Sequence, residues 1–340
     1  MKKLIALALV IASASPAFAA GKVPGFGESF KDAMAKAKKE NKLVYLHFTT
    51  DWCGWCRRIE NDIYKKEAGQ EALKNFVCAS INCTRNYKDA RFNQQLAQKY
   101  GVKGYPALVI LAPDGTLIHQ FSGYRKMDAF KAELKKAEKA FAAYKEILKG
   151  LKEGKDSVEF LNKAFDFYYG VKNWEKAAEV GGKLAEKDAK FEKCDEGKIR
   201  FAELMKVVVT GKGDFDAAMK KALETDKDGK NEVAIRSVAF DYYMKKAFMA
   251  GKKGDGDAKL SNAKTAIENM EKLLEKKNLP NKMGIHFTVA RAYAFIKDFD
   301  KAIENIDAAI KLAGGNKRAV QYFQRFKAQL EKMQNKQEGN

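Results

Sequence analysis

The chain has 340 residues, 46% of them hydrophobic, which is enough for roughly two domains with buried cores. Its formal net charge is +20, but only ten of its 64 basic residues are Arg, and the lysines recur in helical segments beside Glu and Asp. Such a pattern is typical of solvated helix faces, and the sequence has no Gly-rich phosphate loop, so we expect no nucleic-acid partner.

The first residues have the layout of a secretory signal peptide. MKKLIALALVIASASPAFAA begins with a short basic end, continues with an apolar run and reaches the small-x-small site Ala17-Phe18-Ala19. We expect cleavage after Ala19, which removes residues 1–19. The apolar run is well short of the ~20 residues of a membrane span, so we expect no integral membrane segment. The alternative is that the segment stays uncleaved and anchors the protein. The mature protein is predicted to be periplasmic or secreted, where disulfides form.

Residues 22–149 alternate between strand-like and helical patterns. Strands are predicted where apolar, β-branched and aromatic residues cluster, at Lys42–Phe48, Phe76–Asn82, Ala107–Ala112 and Thr116–Gly123. The turn signal Pro113-Asp114-Gly115 joins the last two as a hairpin. Helices are predicted between the strands and after them, at Phe30–Glu40, Cys56–Lys65, Arg91–Tyr100 and from Met127. This order predicts an α/β fold, a mixed central sheet flanked by helices.

Residues 155–335 carry an entirely helical pattern that repeats. NWEKAAEVGGKLAEKD, DFDAAMKKALETDKD and DFDKAIENIDAAIKLA are alike, and their aromatic residues Trp174, Phe215 and Phe299 lie 41 and then 84 residues apart. Because 84 is twice 42, a weaker copy is expected near Asp257. About four helix-turn-helix units and a capping helix, Lys317–Lys332, are therefore predicted to form an α-solenoid. ARAYAFIKDFDKAIENIDAAIKLA resembles a tetratricopeptide repeat, although the period of ~41 residues exceeds the 34 of that family.

The stretch TTDWCGWCRRIE carries the reactive side chains. A predicted strand ends just before Cys53 and a predicted helix begins at Cys56, so Cys53 lies at a helix N-terminus. Free N–H groups and the helix dipole there stabilise a thiolate and lower the pKa of the thiol from its usual value of about 8.5. Arg57 and Arg58 add to this effect if their charges lie near. Cys56, one turn further on, is placed to attack a mixed disulfide on Cys53.

A second motif, YGVKGYPALVIL, places Tyr105-Pro106 directly before a buried strand. A proline at the start of a strand leaves the backbone groups of Tyr105 free to pair with a client chain as an additional strand. A cis bond at Pro106 suits that geometry.

WCGWC after an apolar strand, Gly-Tyr-Pro before the next core strand and the Pro-Asp-Gly hairpin together resemble thioredoxin. DWCGWCRRIE is similar to the exported thioredoxin-like proteins and to the C-terminal domain of DsbD. The resemblance covers roughly Phe26 to Leu148. It implies that Cys53 is the nucleophile, Cys56 the resolving cysteine and Pro106 the cis-proline. The residues expected to contact the client are Trp52, Gly54, Trp55 and Tyr105.

One position departs from thioredoxin, which has a buried Asp six residues before the nucleophile. Here that position is His47. One hypothesis makes His47 the proton relay for Cys56, since an imidazole titrates near neutral pH. The alternative is a neutral core imidazole that packs and makes one hydrogen bond.

Three further cysteines complicate the pattern. Cys78 and Cys83 follow the first pair at a spacing that also invites a four-cysteine zinc site, but Cys56 starts a helix and Cys78 lies within a strand pattern. Their opposite parity on a straight strand points them to opposite faces of the sheet. Cys83 is expected to be an inert half-buried thiol or an auxiliary cysteine near Cys53, and Cys194 is expected to pack between helices.

These features predict an exported thiol-disulfide oxidoreductase that uses the Cys-Gly-Trp-Cys pair, with similarity to DsbD favouring a reductant over an oxidant. We expect no cofactor besides the redox-active Cys53–Cys56 disulfide and no resident metal. The expected partners are protein thiols and disulfides, an electron-donor or acceptor protein, and proteins that contact the helical repeats. The alternative is a non-catalytic binding or scaffold protein with a thioredoxin-like cap.

Overall fold

The computed structural model describes residues 23–338, so the predicted signal peptide, residues 1–19, lies outside the described residues. The chain forms two compact units with their boundary between Asn173 and Trp174. The domain limits 22–149 and 155–335 remain a prediction. No helix within the described range is long and apolar enough to cross a membrane.

The first unit alternates strands and helices. Its strands are β1 (Phe26–Gly27), β2 (Leu43–Thr49), β3 (Phe76–Asn82), β4 (Ala107–Leu111) and β5 (Leu117–Ser122). Its helices are α1 (Phe30–Glu40), α2 (Gly54–Ile59), α3 (Glu67–Leu73), α4 (Ala90–Lys99), α5 (Met127–Lys152) and α6 (Val158–Gly170). A π-helical turn, Glu60–Tyr64, continues α2. The sequence predicted these elements except β1 and α3. The predicted helix Cys56–Lys65 covers the π-helical turn, and α6 lies in the region predicted to form helical repeats.

The sheet has the strand order β1-β3-β2-β4-β5. Strands β1, β3 and β2 are parallel, while β4 and β5 run antiparallel to their neighbours, which confirms the predicted mixed sheet. In the register, Thr49 pairs with Asn82, Phe48 with Ala107, and Ala107 with Ser122. The ends of β2, β3 and β5 and the start of β4 therefore meet at one edge of the sheet. We call this edge, with the loops that leave or enter it, the loop edge.

Strand β2 is buried on both faces, which explains its nearly continuous apolar sequence. Val44, Leu46 and Phe48 belong to one core cluster that includes α1 and α4. On the other face Tyr45 packs against Phe130 of α5, with ring centroids 6.0 Å apart. Its hydroxyl and that of Tyr64 form a buried hydrogen bond of 2.9 Å. Helices thus cover both faces of the sheet, as predicted.

The π-helical turn brings Tyr64 into this second core layer, where it is fully buried. The next helix, α3, packs closely against the end of that turn. A Cβ atom at Gly69 would lie 1.9 Å from the carbonyl oxygen of Ile63. Only glycine, which has no Cβ atom, avoids this clash. The contact fixes where α3 begins relative to the helix that follows the cysteine motif.

The second unit consists of helices and carries no strand between residues 174 and 338. These helices are α7 (Trp174–Lys187), α8 (Glu196–Thr210), α9 (Phe215–Thr225), α10 (Glu232–Lys252), α11 (Gly256–Leu274), α12 (Lys282–Phe295), α13 (Phe299–Ala313) and α14 (Lys317–Glu338). Consecutive helices pack against each other along the chain. The all-α character of this region is confirmed.

The repeat positions predicted from the sequence coincide with helix starts. Helices α7, α9 and α13 begin at Trp174, Phe215 and Phe299, and α11 begins at Gly256, next to the position expected for the weaker copy. Asp N-caps define several of these starts, because the side chains of Asp214, Asp255 and Asp298 each accept a hydrogen bond from a backbone N–H in the first helical turn. The tetratricopeptide identity of these hairpins remains a prediction.

Candidate active site

Cys53 and Cys56 form a disulfide at the loop edge. Cys53 lies between the end of β2 and the start of α2, and Cys56 lies in the first turn of α2. Cys53 is the N-cap residue of α2, and its Sγ accepts a hydrogen bond of 3.1 Å from the backbone N–H of Cys56. The predicted position of Cys53 at a helix N-terminus is confirmed. Both cysteines are nearly buried, with Cys53 4% and Cys56 1% exposed. Once the disulfide is reduced, the same N–H is placed to stabilise a thiolate on Cys53.

Asp51 anchors the loop that presents the disulfide. Its backbone N–H donates to Thr84 Oγ1 at 2.8 Å, and its carboxylate accepts a hydrogen bond from the amide of Asn82, also at 2.8 Å. Its carbonyl oxygen accepts a hydrogen bond of 2.7 Å from the guanidinium of Arg57. The loop after β3 and the first turn of α2 therefore hold the same residue, two positions before Cys53.

Pro106 lies at the start of β4, and the Tyr105-Pro106 bond is cis, as the sequence suggested. The carbonyl oxygen of Pro106 accepts a hydrogen bond of 2.9 Å from the N–H of Gly123, which follows β5. The ring of Tyr105 contacts the ring of Trp52 edge-on, with centroids 6.0 Å apart. The two sequence motifs, separated by some fifty residues of chain, thus meet at the loop edge through the pair Trp52–Tyr105.

A second aromatic pair includes Trp55, which directly precedes Cys56 in the chain. Trp55 and Tyr124 have ring centroids 5.9 Å apart, and the Arg58 guanidinium lies 5.5 Å and 5.2 Å from the two rings. The Tyr124 hydroxyl donates to the carboxylate of Asp62 at 2.9 Å, and Asp62 also pairs with Arg58. Sequence reasoning named Trp55 but missed Tyr124 and Arg58 as its partners. The signal was available, because Tyr124 follows a predicted strand that ends at this edge.

Three of the four predicted client-contacting residues are exposed beside nearly buried sulfurs, and the fourth, Tyr105, is half-buried. Trp52 is 71% and Trp55 56% exposed, the first being the most exposed large hydrophobic side chain of the described chain. Gly54, between the cysteines, is also exposed, and no atom lies within 4 Å of a Cβ placed there. Such exposure of large aromatic side chains is typical of an interaction surface.

His47 lies in the middle of β2 and is fully buried. Burial lowers the pKa of its imidazole from 6.5 to about 3. Its ring contacts that of Tyr64 edge-on at 5.4 Å, and neither ring nitrogen has a hydrogen-bond partner among residues 23–338. These features favour a neutral imidazole packed in the core, without the hydrogen bond we expected of it. The proton-relay hypothesis remains a prediction.

The other three cysteines are free thiols and do not join the disulfide. Cys83 belongs to the core cluster beneath α1 and α4, while Cys78 lies on the other face with Tyr45 and Tyr64, so the predicted opposite orientation is confirmed. Burial raises the pKa of the Cys78 thiol to about 12 and also raises that of Cys83. Cys83 interacts with the side chain of Tyr105, which connects it to the loop edge.

Cys194 lies in the connection between α7 and α8 and is half-buried. Burial and the neighbouring Asp188 raise the pKa of its thiol to about 11. The opposite faces of Cys78 and Cys83 do not suit a shared four-cysteine zinc site. Across the described part of the chain, no group of three or more His, Cys, Asp or Glu side chains is arranged to hold a metal.

Residues 30–138 match the family model described as a thioredoxin-like domain. A protein disulfide-isomerase of Arthroderma benhamiae is 34% identical over 103 residues, which are 30% of this chain and 17% of that protein. The thiol:disulfide interchange protein DsbD of Pseudomonas fluorescens is 28% identical over 104 residues, 31% of this chain and 17% of that protein. The disulfide bond reductase DsbH of Chlamydia pneumoniae is 28% identical over 98 residues, 26% of this chain and 57% of that protein. The similarity spans less than two thirds of each relative.

The buried imidazole makes the stability of the first unit depend on pH. Unfolding lets His47 take up a proton below pH 6.5, whereas the folded state resists protonation down to about pH 3. In that window stability falls by about 1.4 kcal/mol for each pH unit of acidification. We expect His47→Leu to remove this slope, measured as the free energy of unfolding of the first unit in urea between pH 7 and pH 4. Equal slopes in the two proteins would contradict the burial argument.

Proposed function

Because residues 30–138 form a thioredoxin-like domain, we propose that this protein is a thiol-disulfide oxidoreductase acting on other proteins through Cys53 and Cys56. The observation that carries the proposal is the Cys53–Cys56 disulfide at the loop edge, with the Cys56 N–H directed at Cys53 Sγ beside the cis-proline Pro106. The predicted signal peptide supports an exported protein, which encounters disulfides as substrates.

The reaction is a pair of thiol-disulfide exchanges. In the reduced protein, the Cys53 thiolate attacks one sulfur of a client disulfide, forms a mixed disulfide and releases one client thiolate. The Cys56 thiol then loses its proton and attacks Cys53 Sγ. This step re-forms the Cys53–Cys56 disulfide and releases the second client thiolate. Two electrons pass from the pair to the client, and an electron-donor protein must return them for another turnover.

The loop edge supports the docking of an extended client segment. Tyr105 lies just outside β4, so its backbone groups are placed to pair with a client strand next to Pro106. Trp52, Trp55 and Gly54 then contact the residues around the client cysteine. The near burial of the sulfurs means that a client must approach along this exposed aromatic surface to reach them.

We place the protein on the reducing side of disulfide exchange. The relative from Chlamydia pneumoniae is named a disulfide bond reductase. The similarity of the cysteine motif to DsbD is the second reason for this assignment. In this role the protein keeps exported cysteines reduced. The alternative, a non-catalytic binding or scaffold protein with a thioredoxin-like cap, leaves the disulfide without a client.

The helical unit is proposed to bind clients or partners. An apolar groove of about 440 Å³ lies between α8 and α10 and includes Met205, Tyr242 and Met249 in its lining. Met249 is 47% exposed, and methionine adapts to differently shaped apolar partners. Lys245 and Lys246 lie on the same stretch of α10 and also line the groove, together with the acidic Asp241, so charged side chains border the apolar surface.

Substitution of the two cysteines separates their roles. We expect Cys53→Ser to abolish reduction of a protein disulfide and to trap no client. Cys56→Ser should accumulate mixed disulfides on Cys53, because the resolving sulfur is absent. Mass spectrometry of the complexes from cells identifies the clients, and the double variant serves as the control. If neither single variant changes activity or trapping, the scaffold alternative is correct.

The reduction potential of the pair tests the direction of electron flow. Thiol-disulfide proteins range from about −270 mV for the reductant thioredoxin to about −120 mV for the oxidant DsbA. We expect the pair of this protein to lie nearer the reducing end, below about −200 mV. Equilibration with glutathione buffers followed by thiol alkylation measures it. A value near that of DsbA would overturn the reductant assignment and leave the exchange chemistry intact.

The groove of the helical unit gives a third test. Met249→Glu places a charge in the apolar groove, and we expect it to reduce severalfold the yield of clients trapped by the Cys56→Ser protein. Reduction of a small-molecule disulfide by the protein with both cysteines should not change, since it needs no groove. Met333→Glu, at a similarly exposed methionine on α14, is the matched control. Equal loss in both variants would contradict a client-binding groove.

A further inference from the structure

The segments that meet at the loop edge carry more basic than acidic side chains. Sheet register brings together residues 50–58, 83–89, 100–106 and 123–126. Within these segments the basic residues are Arg57, Arg58, Arg85, Lys88, Lys103, Arg125 and Lys126. The acidic residues are Asp51 and Asp89. The edge that carries the disulfide therefore has an excess of positive charge.

Part of this charge is already engaged within the domain. Arg58 pairs with Asp62 in the π-helical turn, and Arg57 donates to the carbonyl oxygen of Asp51. The Asp51 carboxylate in turn accepts a hydrogen bond from Asn82. Arg85 and Lys103, on two loops that flank the disulfide loop, are exposed. The Glu28 carboxylate also reaches this edge, because it accepts a hydrogen bond of 3.1 Å from the Tyr87 hydroxyl. With Arg58 and Asp62 set aside as a pair and Glu28 included, six basic residues remain against three acidic ones.

We propose that this edge selects client segments in which the reacting cysteine is flanked by apolar side chains and then by carboxylates. The inference rests on the proposed function and names its substrate class. The pair Trp52–Tyr105 includes the chain neighbour of Cys53, and the pair Trp55–Tyr124 includes that of Cys56. These two pairs accept the apolar side chains. The basic side chains lie on the surrounding loops and face the carboxylates.

The size of the edge sets where those carboxylates lie in the client. Four adjacent strands, spaced about 4.8 Å apart, give an edge roughly 15 Å wide. An extended client advances about 3.3 Å per residue, so about two residues on each side of its cysteine cover that width. Acidic residues two or three positions from the client cysteine therefore reach the basic loops, while the nearest neighbours contact the aromatic pairs.

The test measures a single turnover of the thiol-disulfide exchange between the protein and a client peptide. The reduced Cys53–Cys56 dithiol supplies the two electrons, the disulfide of the client peptide accepts them, and the products are the Cys53–Cys56 disulfide and two peptide thiols. No other reductant is present. Two disulfide-linked peptides with the same apolar neighbours are compared, one with Asp and one with Lys at positions two and three from the cysteine.

We expect the full-length, pre-reduced protein to reduce the Asp peptide about tenfold faster than the Lys peptide at low ionic strength, as steering by exposed charge allows. The ratio should approach one in 1 M salt, where charges are screened beyond about 3 Å. Arg85→Gln/Lys103→Gln should lower the low-salt ratio to about threefold or less. The rates come from quenched samples separated by chromatography.

A matched variant separates this edge from the overall positive charge of the chain. Lys38→Gln/Lys39→Gln removes the same charge at the end of α1, next to the start of β2 and at the opposite end of the sheet. We expect it to leave the ratio unchanged. Equal rates for the two peptides, faster reduction of the Lys peptide, or equal effects of the two double variants would overturn the inference. If neither peptide is reduced, the proposed function fails, and the inference falls with it.

Discussion

The register of the central sheet is the constraint on which the site depends. Pairing of Thr49 with Asn82, of Phe48 with Ala107 and of Ala107 with Ser122 brings four strand ends into one row. Both faces of β2 are buried, so a shift of one residue would exchange the side chains of its two core layers and move Tyr45 into the layer that Val44 and Phe48 fill. The packing of this strand on both faces therefore locks the register. The core permits one alignment of the strands. This alignment brings together the cysteines, the cis-proline and the aromatic side chains from distant parts of the chain.

The surroundings of each cysteine, rather than its exposure, decide what it is able to do, because Cys53 and Cys83 are equally exposed at 4%. Cys78 and Cys83 lie inside the two core layers, and burial disfavours their thiolates, which are the reactive forms. Cys53, in contrast, follows the loop after β2 and caps a helix, where a backbone N–H already points at its sulfur. The difference arises from position in the fold, because all of these residues carry the same side chain.

Much of the first unit could be predicted from local sequence. Strand β3 and helix α1 have the limits expected from their patterns, and the cysteine motif lies between strand and helix as expected. Strand β1 escaped prediction because two residues give no periodic signal, and α3 because Gly69 lowers its helix propensity while serving a tertiary contact. The pairing of Trp55 with Tyr124 depends on strand register, which a local pattern does not specify.

The helices of the second unit were predicted from the repetition of similar segments rather than from local helix propensity. Asp residues before Phe215 and Phe299 cap their helices, and the spacing between these positions located a further helix whose sequence is less similar. What the helices bind depends on which side chains remain exposed after packing. That property belongs to the assembled unit, and it could not be predicted from any single repeat.

The exposed tryptophans and the charged loops have different physical roles at the edge. An aromatic side chain that becomes buried in a complex contributes about 2–3 kcal/mol by the hydrophobic effect, and this contribution does not depend on the charge of the partner. In the proposed function, Trp52 and Trp55, which are exposed, would therefore retain clients of different charge once these have arrived. Exposed charges add little to such a complex but change how often it forms. The proposed selection among clients would consequently be kinetic, and it would act before the sulfur atoms meet.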